Sequence, residues 1–402
     1  MDWILEHLIL MLIPIISAFV GWLTNYLAVK MMFYPVRFVG IKPIFGWQGL
    51  IPAKAREMAE IETDLILNRL LSVEDIAKRI DAKQLTENIE RRLNQVLKGI
   101  INTVMKDSAP QLWAMMPIQG KKAVYHRVEM DVPDVVNKMV QDFQDNVVEI
   151  LNIKELVIEQ LTKNPGLVNE IFIKSGEKEF PFIERSGFYF GFLFGIPTMV
   201  LWYFYQAWWL LPLGGLIVGY ATNWIAIQII FEPKRPKKLG PITIQGMFLK
   251  RQNEVSTIYS DIIEKKLINA ENIVDTLLRG QGSDQLFEII ELHVNEAIDR
   301  YLNVTQPYVV LTIGSENYYT IKDNACKMLF EHAEKYLLYA YDYANDALNI
   351  GNDLRQKMQA LEPEEFEGVL RPAYKQDEWK LIVVGAILGM CAGFMQLQLI
   401  YL

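Results

Sequence analysis

The chain is poor in cysteine and histidine, and its net charge is negative. Its 402 residues include two cysteines and four histidines, and the formal net charge is −8. Cys326 and Cys391 lie far apart in different kinds of segment, which argues against a disulfide framework or a structural zinc site. An acidic chain also lacks the basic face expected of a nucleic-acid-binding protein. We therefore expect no nucleic-acid partner.

Motifs for catalysis and cofactor binding are missing as well. There is no Gly-rich nucleotide loop, no nucleophile elbow and no zincin motif, and the histidines show no metal-ligand spacing. The densest acidic cluster, Glu362 to Glu365, is best explained as a helix start at Pro363, because acidic residues favour the first turn of a helix. The sequence thus predicts no catalytic residue, no metal and no cofactor, and an enzyme is the least favoured class.

Long apolar segments are abundant. Hydrophobic residues make up 51% of the chain, yet charged residues still make up 22%, which indicates membrane spans combined with water-facing modules. Four apolar runs are long enough to cross a bilayer: 8–33, 187–205, 210–231 and 381–402. The short link between the second and third contains Trp208 and Trp209 and predicts a tight transmembrane hairpin. The first run is too long for a signal peptide, so we expect it to be retained.

One motif occurs twice, at a constant spacing. Gly21–Ala28 reads GWLTNYLA, and Gly219–Ala226, 198 positions later, reads GYATNWIA; each is followed by a Phe-x-Pro, at Phe33 and Phe231. A Thr-Asn pair inside an apolar helix is unusual. Its recurrence in register predicts a duplicated membrane protein.

Small residues recur at the same spacing. Gly187, Gly191 and Gly195 in the second run correspond to Gly385, Gly389 and Gly393 in the fourth. Such stripes let two helices approach closely in lipid. Gly21 and Gly219 lie on complementary stripes of the first and third runs, so we expect glycine-lined helix pairs.

Basic residues near the ends of the runs predict the orientation. They follow the first run (Lys30, Arg37, Lys42, Lys54, Arg56) and the third (Lys234, Arg235, Lys237, Lys238, Lys250, Arg251), and they precede the second (Lys174, Lys178, Arg185) and the fourth (Arg371, Lys375, Lys380). The two termini and the link between the middle runs carry none. We therefore expect the termini outside and both long soluble segments in the cytoplasm of a bacterial cell.

These patterns predict an all-α membrane protein with four transmembrane helices in two tandem, parallel repeats. The expected boundaries are a first span at 1–34, a cytoplasmic helical domain at 35–186, a transmembrane hairpin at 187–231, a second cytoplasmic helical domain at 232–379 and a last span at 380–402. Within the domains, Ala123–Met130 and Tyr308–Ile313 resemble strands. The Gly-, Pro- and aromatic-rich segments 35–52 and 233–249 predict an ordered turn or hairpin beside the membrane.

A family resemblance rests on several motifs in order. They are Gly21-Trp22-Leu23-Thr24-Asn25 with Phe33-Tyr34-Pro35, the run Gln48 to Lys54, Phe366-Glu367, the run Asp377 to Ile382, and Gly385, Gly389 and Gln396. With these residues the chain resembles the bacterial membrane-protein family known as domain of unknown function 445, over most of its length. The resemblance implies a cytoplasmic-membrane protein without a settled biochemical role. The likeness is weakest at 106–145 and 303–335.

The Thr-Asn pairs have two interpretations. Thr24, Asn25, Thr222 and Asn223 lie in apolar helices, where polar groups need partners. They can form a substrate or ion site, as in transporters built from repeats. They can also form hydrogen bonds between helices beside a small-residue stripe, which we favour.

A second candidate site lies just beyond the first and third runs. Gln48 and Gly49 precede Lys54, and Gln245 and Gly246 precede Arg251. A Gly-bearing turn with a basic residue near a helix start can bind a lipid headgroup phosphate. The alternative is ordinary positive-inside anchoring and capping, with Lys54 and Arg251 paired to Glu57 and Glu254 at helical spacing.

From the sequence we expect a non-enzymatic protein that organises the membrane as a scaffold or handles lipid. The large soluble share and the basic turns at the membrane face favour this function. The alternative is a repeat-built transporter or channel for a small solute or ion, which the Thr-Asn pairs suggest. Expected partners are membrane lipids, a cytoplasmic protein and a second copy of the chain.

Overall fold

A computed structural model of the protein describes residues 2–41, 45–303, 315–333, 341–371, 375 and 378–401. The strand-like segment Tyr308–Ile313 lies outside these residues, as do Lys42 and Asp377. The described part is almost entirely helical, as the sequence predicts, with two short β-hairpins.

The helices and strands are as follows, in chain order. The first half contains α1 Asp2–Phe33, β1 Val39–Ile41, β2 Phe45–Trp47, α2 Leu50–Ala53, α3 Ala55–Leu65, α4 Val73–Ala77, α5 Ala82–Ser108, α6 Pro110–Met115, α7 Ile118–Asp145, α8 Val147–Ile150, α9 Ile153–Lys163, α10 Pro165–Ser175 and α11 Glu179–Phe204. The second half contains α12 Leu210–Phe231, β3 Lys237–Leu239, β4 Ile242–Ile244, α13 Met247–Lys250, α14 Gln252–Ile262, α15 Ala270–Arg279, α16 Ser283–Asn303, α17 Ser315–Glu331, α18 Tyr341–Leu348, α19 Ile350–Ala360, α20 Pro363–Leu370 and α21 Glu378–Tyr401. A π-helical turn follows α3 at Ile66–Leu70, and another follows α14 at Ile263–Leu267.

Four of the described helices are long and apolar enough to cross a membrane. Their apolar parts are Leu10–Phe33, Glu179–Phe204, Leu210–Phe231 and Glu378–Gln398. All four predicted runs therefore form candidate spans. α11 begins at Glu179, well before residue 187, because a helix can continue through polar residues that end a hydropathic run.

These helices pack in two pairs, α1 with α11 and α12 with α21. A Cβ atom on Gly21 would overlap the carbonyl group of Gly187, and one on Gly219 would overlap that of Gly385. The two backbones of each pair therefore touch, which is the close approach that the glycine stripes predict.

The strand predicted at Ala123–Met130 is wrong, because this segment lies inside helix α7. Its aromatic residue Tyr125 contacts neighbouring helices instead. The Tyr125 hydroxyl donates to Asn102 Oδ1 at 2.7 Å, and its ring meets Trp113 edge to face. Such tertiary contacts override a weak strand propensity.

The chain divides into two compact units. The first contains Met1–Ile66, Ile158–Ile262 and Leu354–Leu402, and thus all four candidate spans; the second contains Leu67–Val157 and Ile263–Asp353. The second unit is helical, and α5, α7, α16 and α17 pack together in it. Both candidate sites from the sequence lie in the first unit.

Each segment predicted to form a turn or hairpin contains a two-stranded antiparallel hairpin, which confirms that prediction. In the first, Val39 pairs with Trp47 and Ile41 with Phe45. In the second, Lys237 pairs with Ile244. Each hairpin begins within a few residues of the end of a candidate span.

Candidate functional site

The two asparagines of the Thr-Asn pairs join the paired helices. Asn25 on α1 donates from Nδ2 to the Ile183 carbonyl oxygen on α11 at 2.6 Å. Asn223 on α12 donates in the same way to the Leu381 carbonyl oxygen on α21 at 2.8 Å. Both asparagines are buried, and neither Oδ1 has a hydrogen-bond partner among the described residues. Each amide therefore forms a hydrogen bond between helices, which is the interpretation that we favour from the sequence.

The threonines of the same pairs bond within their own helices. Thr24 Oγ1 donates to the Gly21 carbonyl oxygen at 3.1 Å, and Thr222 Oγ1 donates to that of Gly219 at 3.4 Å. Both threonines are buried. These bonds satisfy the hydroxyl groups locally, so neither threonine needs a hydrogen-bond partner on the facing helix.

The predicted glycine stripes lie at the backbone contacts of the helix pairs. A Cβ atom at any of the remaining stripe positions would overlap backbone atoms of the facing helix: Gly191 those of Ser17, Gly195 those of Pro14, Gly389 those of Gly215 and Gly393 those of Leu211. Helix pairs this close leave no space between the two backbones for a solute.

The Gln-Gly turns fasten the hairpins to the ends of α1 and α12. Gly49 N donates to the Pro35 carbonyl oxygen at 2.9 Å, and Gln48 Nε2 donates to that of Val36 at 2.9 Å. In the second copy, Gly246 N donates to the Pro233 carbonyl oxygen at 3.0 Å and Gln245 Nε2 to that of Lys234 at 3.2 Å. The backbone N–H groups of both glycines are thus used inside the turn.

The basic residues after these turns form ion pairs with carboxylates. Lys54 Nζ lies 3.5 Å from Glu57. Arg251 Nη2 lies 3.0 Å from Glu254, as the helical spacing predicts, but Nη1 also binds Glu179 at 2.5 Å. The contact between Arg251 and Glu179 could not be predicted from the sequence, because Glu179 is far away in the chain.

The Arg251 cluster combines a buried carboxylate with an exposed one. The Glu179 side chain is 4% exposed, and that of Glu254 is 43% exposed. Lys178 Nζ also contacts Glu254 at 2.7 Å. Hydrogen bonds from Arg251 and then from Lys178 lower the pKa of Glu254 to about 2, so this carboxylate stays charged at neutral pH.

A second ionic cluster lies between α12 and α21. Arg371 binds Glu367 through Nη1 and lies 3.1 Å from Glu378 through Nε, and its guanidinium group stacks 4.7 Å from the Phe231 ring centre. Lys234 Nζ binds the same Glu367 at 2.8 Å. Burial opposes the charge of Arg371, but the hydrogen bonds that it donates to Glu378 and Glu367 raise its pKa above the ordinary value.

The neighbouring acidic cluster forms a helix start, as predicted. Glu362 caps α20 in a capping box with Glu365, and Pro363 occupies the first turn. Arg235 Nε binds Glu364 at 2.8 Å. Among the described residues, no group of histidine, cysteine and acidic side chains is arranged to hold a metal ion.

A cavity of about 70 Å³ lies where α1 and α12 end and α11 and α21 begin. Its lining is almost entirely apolar: Ala28, Val29, Met32, Phe33, Phe172, Gly176, Phe180, Ile183, Ile227, Ile230, Phe231, Phe248 and Leu381. Four polar residues complete it, Ser175, Glu179, Asn223 and Glu378. Helices from both pairs thus build one hydrophobic site, which the sequence alone did not reveal.

A buried carboxyl group lies between α3 and α14. Tyr259 donates from its hydroxyl to Glu62 Oε2 at 2.9 Å, and both side chains are buried. Glu62 Oε1 has no hydrogen-bond partner among the described residues. Burial raises the pKa of Glu62 to about 8, although the Tyr259 bond lowers it in part. Glu62 therefore holds a proton near neutral pH.

Comparison with known proteins finds relatives among bacterial membrane proteins. The chain is 30% identical to a UPF0754 membrane protein of Listeria innocua over 99 residues, which cover 24% of this chain and 25% of the relative. It is 24% identical to one from Gloeothece citriformis over 190 residues (40% and 46%) and 30% identical to one from Lysinibacillus sphaericus over 132 residues (32% and 33%).

The chain therefore matches between a quarter and just under half of the length of these curated relatives. No family model matches it, and no solved structure matches it. The relatives confirm the expected kind of family, although they carry the name UPF0754 and not domain of unknown function 445. The protein is a helical membrane protein similar to the UPF0754 membrane proteins, an uncharacterised bacterial family.

Proposed function

We propose that this protein is a non-enzymatic lipid-handling protein, and that the apolar cavity at the ends of its four candidate spans takes the terminal part of a membrane lipid's hydrocarbon chain. The observation that carries the proposal is the lining of that cavity. Residues from all four of these helices contribute, and apolar side chains dominate. Ligand sites are typically apolar with a few polar groups, as here, but they are larger, at about 300–1,000 Å³. A cavity of about 70 Å³ therefore has room for only part of a lipid chain.

The lining favours hydrocarbon over a polar solute or ion. Phe33, Phe180 and Phe231 contribute aromatic rings to the wall. A dehydrated ion would need several polar ligands to offset the loss of its hydration. The two carboxylates at the cavity, Glu179 and Glu378, are already bound by Arg251 and Arg371. These contacts favour lipid handling over the transporter alternative.

The ionic clusters beside the cavity suit an amphiphile. Lys178 and Glu254 lie at the Arg251 end, and Lys234 and Glu367 lie at the Arg371 end. An amphiphile with its chain in the cavity would place its headgroup near such charges. Lys178 and Lys234 are partly exposed, and each pairs with a carboxylate, so both clusters offer charges of both signs to a polar headgroup.

We also infer that the chain contains two tandem, parallel span–domain–span units and lies in the bacterial cytoplasmic membrane with its soluble domains in the cytoplasm. Residues at matching positions in the two sequence copies make matching contacts, as Asn25 and Asn223 do. The basic residues near the span ends support the orientation. A membrane-impermeant maleimide tests it. In a Cys326→Ser, Cys391→Ser background, Lys83→Cys should react in inverted membrane vesicles and stay protected in right-side-out ones; the opposite result would reverse the orientation.

Lipid occupancy can be tested by photocrosslinking. The purified protein would be reconstituted with a phospholipid that carries a diazirine in its acyl chain, irradiated, and mapped by mass spectrometry. We expect crosslinks on α1, α11, α12 and α21 at cavity-lining residues. Ile227→Trp fills the cavity and should reduce these crosslinks several-fold.

Ile217→Trp provides the matched control. It makes the same change on the same helix, at a residue that is 52% exposed and outside the cavity. Its crosslinks should equal those of the wild type. If Ile227→Trp folds normally and its cavity crosslinks are unchanged, the cavity does not hold lipid.

A further inference from the structure

The face of the first hairpin that carries Val39, Ile41 and Trp47 is apolar and uncovered. Val39 is 62% exposed, Ile41 76% and Trp47 39%. Val39 pairs with Trp47 across the strands, and Ile41 lies two residues along from Val39 on the same face. The opposite face carries the Gly40–Gly46 pair, and the Phe38 ring lies against Gly46. The exposed side chains of Val39, Ile41 and Trp47 therefore project from one face, and the Phe38 ring covers the other.

The second hairpin also has an exposed apolar residue, and lysines lie beside it. Ile244 is 43% exposed and pairs with Lys237, which shares its face and is also exposed. Lys238 is exposed on the other face. An isolated two-stranded hairpin with an uncovered apolar face is marginal in water. A less polar environment than water would therefore stabilise the face of Val39, Ile41 and Trp47, and the exposed Ile244 of the second hairpin.

Short, clamped connections keep both hairpins close to the ends of the candidate spans. The Gly49–Pro35 and Gln48–Val36 hydrogen bonds close the base of the first hairpin directly after α1. A Cβ atom on Gly49 would meet the Phe33 carbonyl group, so the turn lies against the last residue of the span. From Val36 the chain can reach Ile41 over at most about 17 Å. The hairpin thus stays near the membrane–water interface.

We propose that both hairpins insert their apolar faces into the interfacial layer of the leaflet where α1 and α12 end. The hydrogen bonds at the base of the hairpins fix their position. The residue types match it, because tryptophan prefers this layer, and lysine can bury its aliphatic part while its ammonium group stays at the headgroups. The Trp47 indole N–H donates to the Tyr34 carbonyl oxygen at 3.2 Å, so the ring can enter lipid without an unsatisfied donor. The surface is separate from the cavity and goes beyond the lipid-handling function.

Spin labelling tests the proposal. Single-cysteine variants Ile41→Cys and Ile244→Cys would be made in a Cys326→Ser, Cys391→Ser background and reconstituted into vesicles of phosphatidylethanolamine and phosphatidylglycerol. Collision rates with oxygen, which concentrates in lipid, and with a water-soluble nickel chelate would be compared. Lys83→Cys, in α5 and with a highly exposed side chain, provides the aqueous control, and Ile217→Cys on α12 provides the lipid control.

We expect the labels at Ile41 and Ile244 to show collision rates between those of the two controls, with nickel contact several-fold below that at Lys83. Nickel contact equal to that at Lys83 would overturn the proposal. Protection from both oxygen and nickel would also overturn it, because a protein surface or a second copy would then cover the hairpins. Neither outcome bears on the cavity, because Ile41 and Ile244 do not line it.

Discussion

Gly219 on α12 and Gly385 on α21 lie so close that neither position has room for a side chain. A Cβ atom on Gly219 would overlap the Gly385 carbonyl group, and one on Gly385 would overlap the Asn223 amide. The interhelical hydrogen bond from Asn223 therefore depends on the glycine opposite it. Gly21, Gly187 and Asn25 make the same arrangement between α1 and α11.

Gly219→Ala should destabilise the protein by about 1–3 kcal/mol, because the added methyl group forces two backbones apart. Thermal unfolding in detergent, followed by circular dichroism, measures the change. Gly368→Ala is the control: it lies in helix α20, where a Cβ atom would meet nothing within 4 Å, and it should stabilise by about 0.5–1 kcal/mol. Equal unfolding temperatures for the two variants would contradict the close packing.

Asn223→Ala should cost about 0.5–2 kcal/mol of stability, because it removes one interhelical hydrogen bond in an apolar setting. Thr222→Ala should cost less, since its hydroxyl donates within its own helix. Unfolding temperature and acyl-chain crosslinking would be measured together, and we expect crosslinking to persist in folded Asn223→Ala. Solute flux in liposomes that disappears in Asn223→Ala at unchanged stability would instead favour the transporter alternative.

Glu62 should make the stability of the protein depend on pH. Its pKa of about 8 in the folded state exceeds the value of about 4.3 for an unfolded chain. Between these values the folded protein binds one more proton than the unfolded chain, so stability falls as pH rises, by at most about 1.4 kcal/mol per pH unit. The contribution is fully present below the lower pKa and is lost as pH passes the higher one.

Glu62→Gln tests this, because the amide is neutral and its oxygen can still accept from Tyr259. We expect the variant to be more stable than the wild type at pH 8 and to lose the fall in unfolding temperature between pH 6 and 8. Glu60→Gln, at a half-exposed position on the same helix, should keep the wild-type pH dependence. If the wild type shows no fall over this range, Glu62 is not protonated in the folded state.

Much of the fold could be predicted because its signals are local. A span needs about 20 apolar residues and a close helix pair needs small residues at regular spacing, so α1, α11, α12, α21 and their glycines were found from the sequence. Secondary structure was harder where propensity and packing disagree. Ala123–Met130 resembles a strand by residue type, but it lies inside helix α7, where Tyr125 contacts Asn102 and Trp113.

At the candidate site, ionic partners were predicted only where they are near in the chain. Arg251 and Glu254, three residues apart, were paired correctly. Glu179 and Glu62 could not be matched with Arg251 and Tyr259, because these contacts join residues far apart in sequence. The cavity was missed for the same reason: its apolar lining comes from separate helices and looks like ordinary core in each of them.

Arg251→Ala should be the most destabilising change at the ionic clusters. It would leave the Glu179 carboxylate, 4% exposed, without its cation, and breaking a buried ion pair in this way costs about 3–5 kcal/mol. Arg56→Ala removes the same side chain from a pair with Glu60 on the surface, where Arg56 is 75% exposed, and should cost less than about 1 kcal/mol.

The double variant Arg251→Ala, Glu179→Gln should recover part of the loss, because it removes the unpaired charge. Chemical or thermal unfolding of the three variants measures these differences. A single variant Arg251→Ala as stable as Arg56→Ala would mean that Glu179 does not depend on Arg251 for its charge.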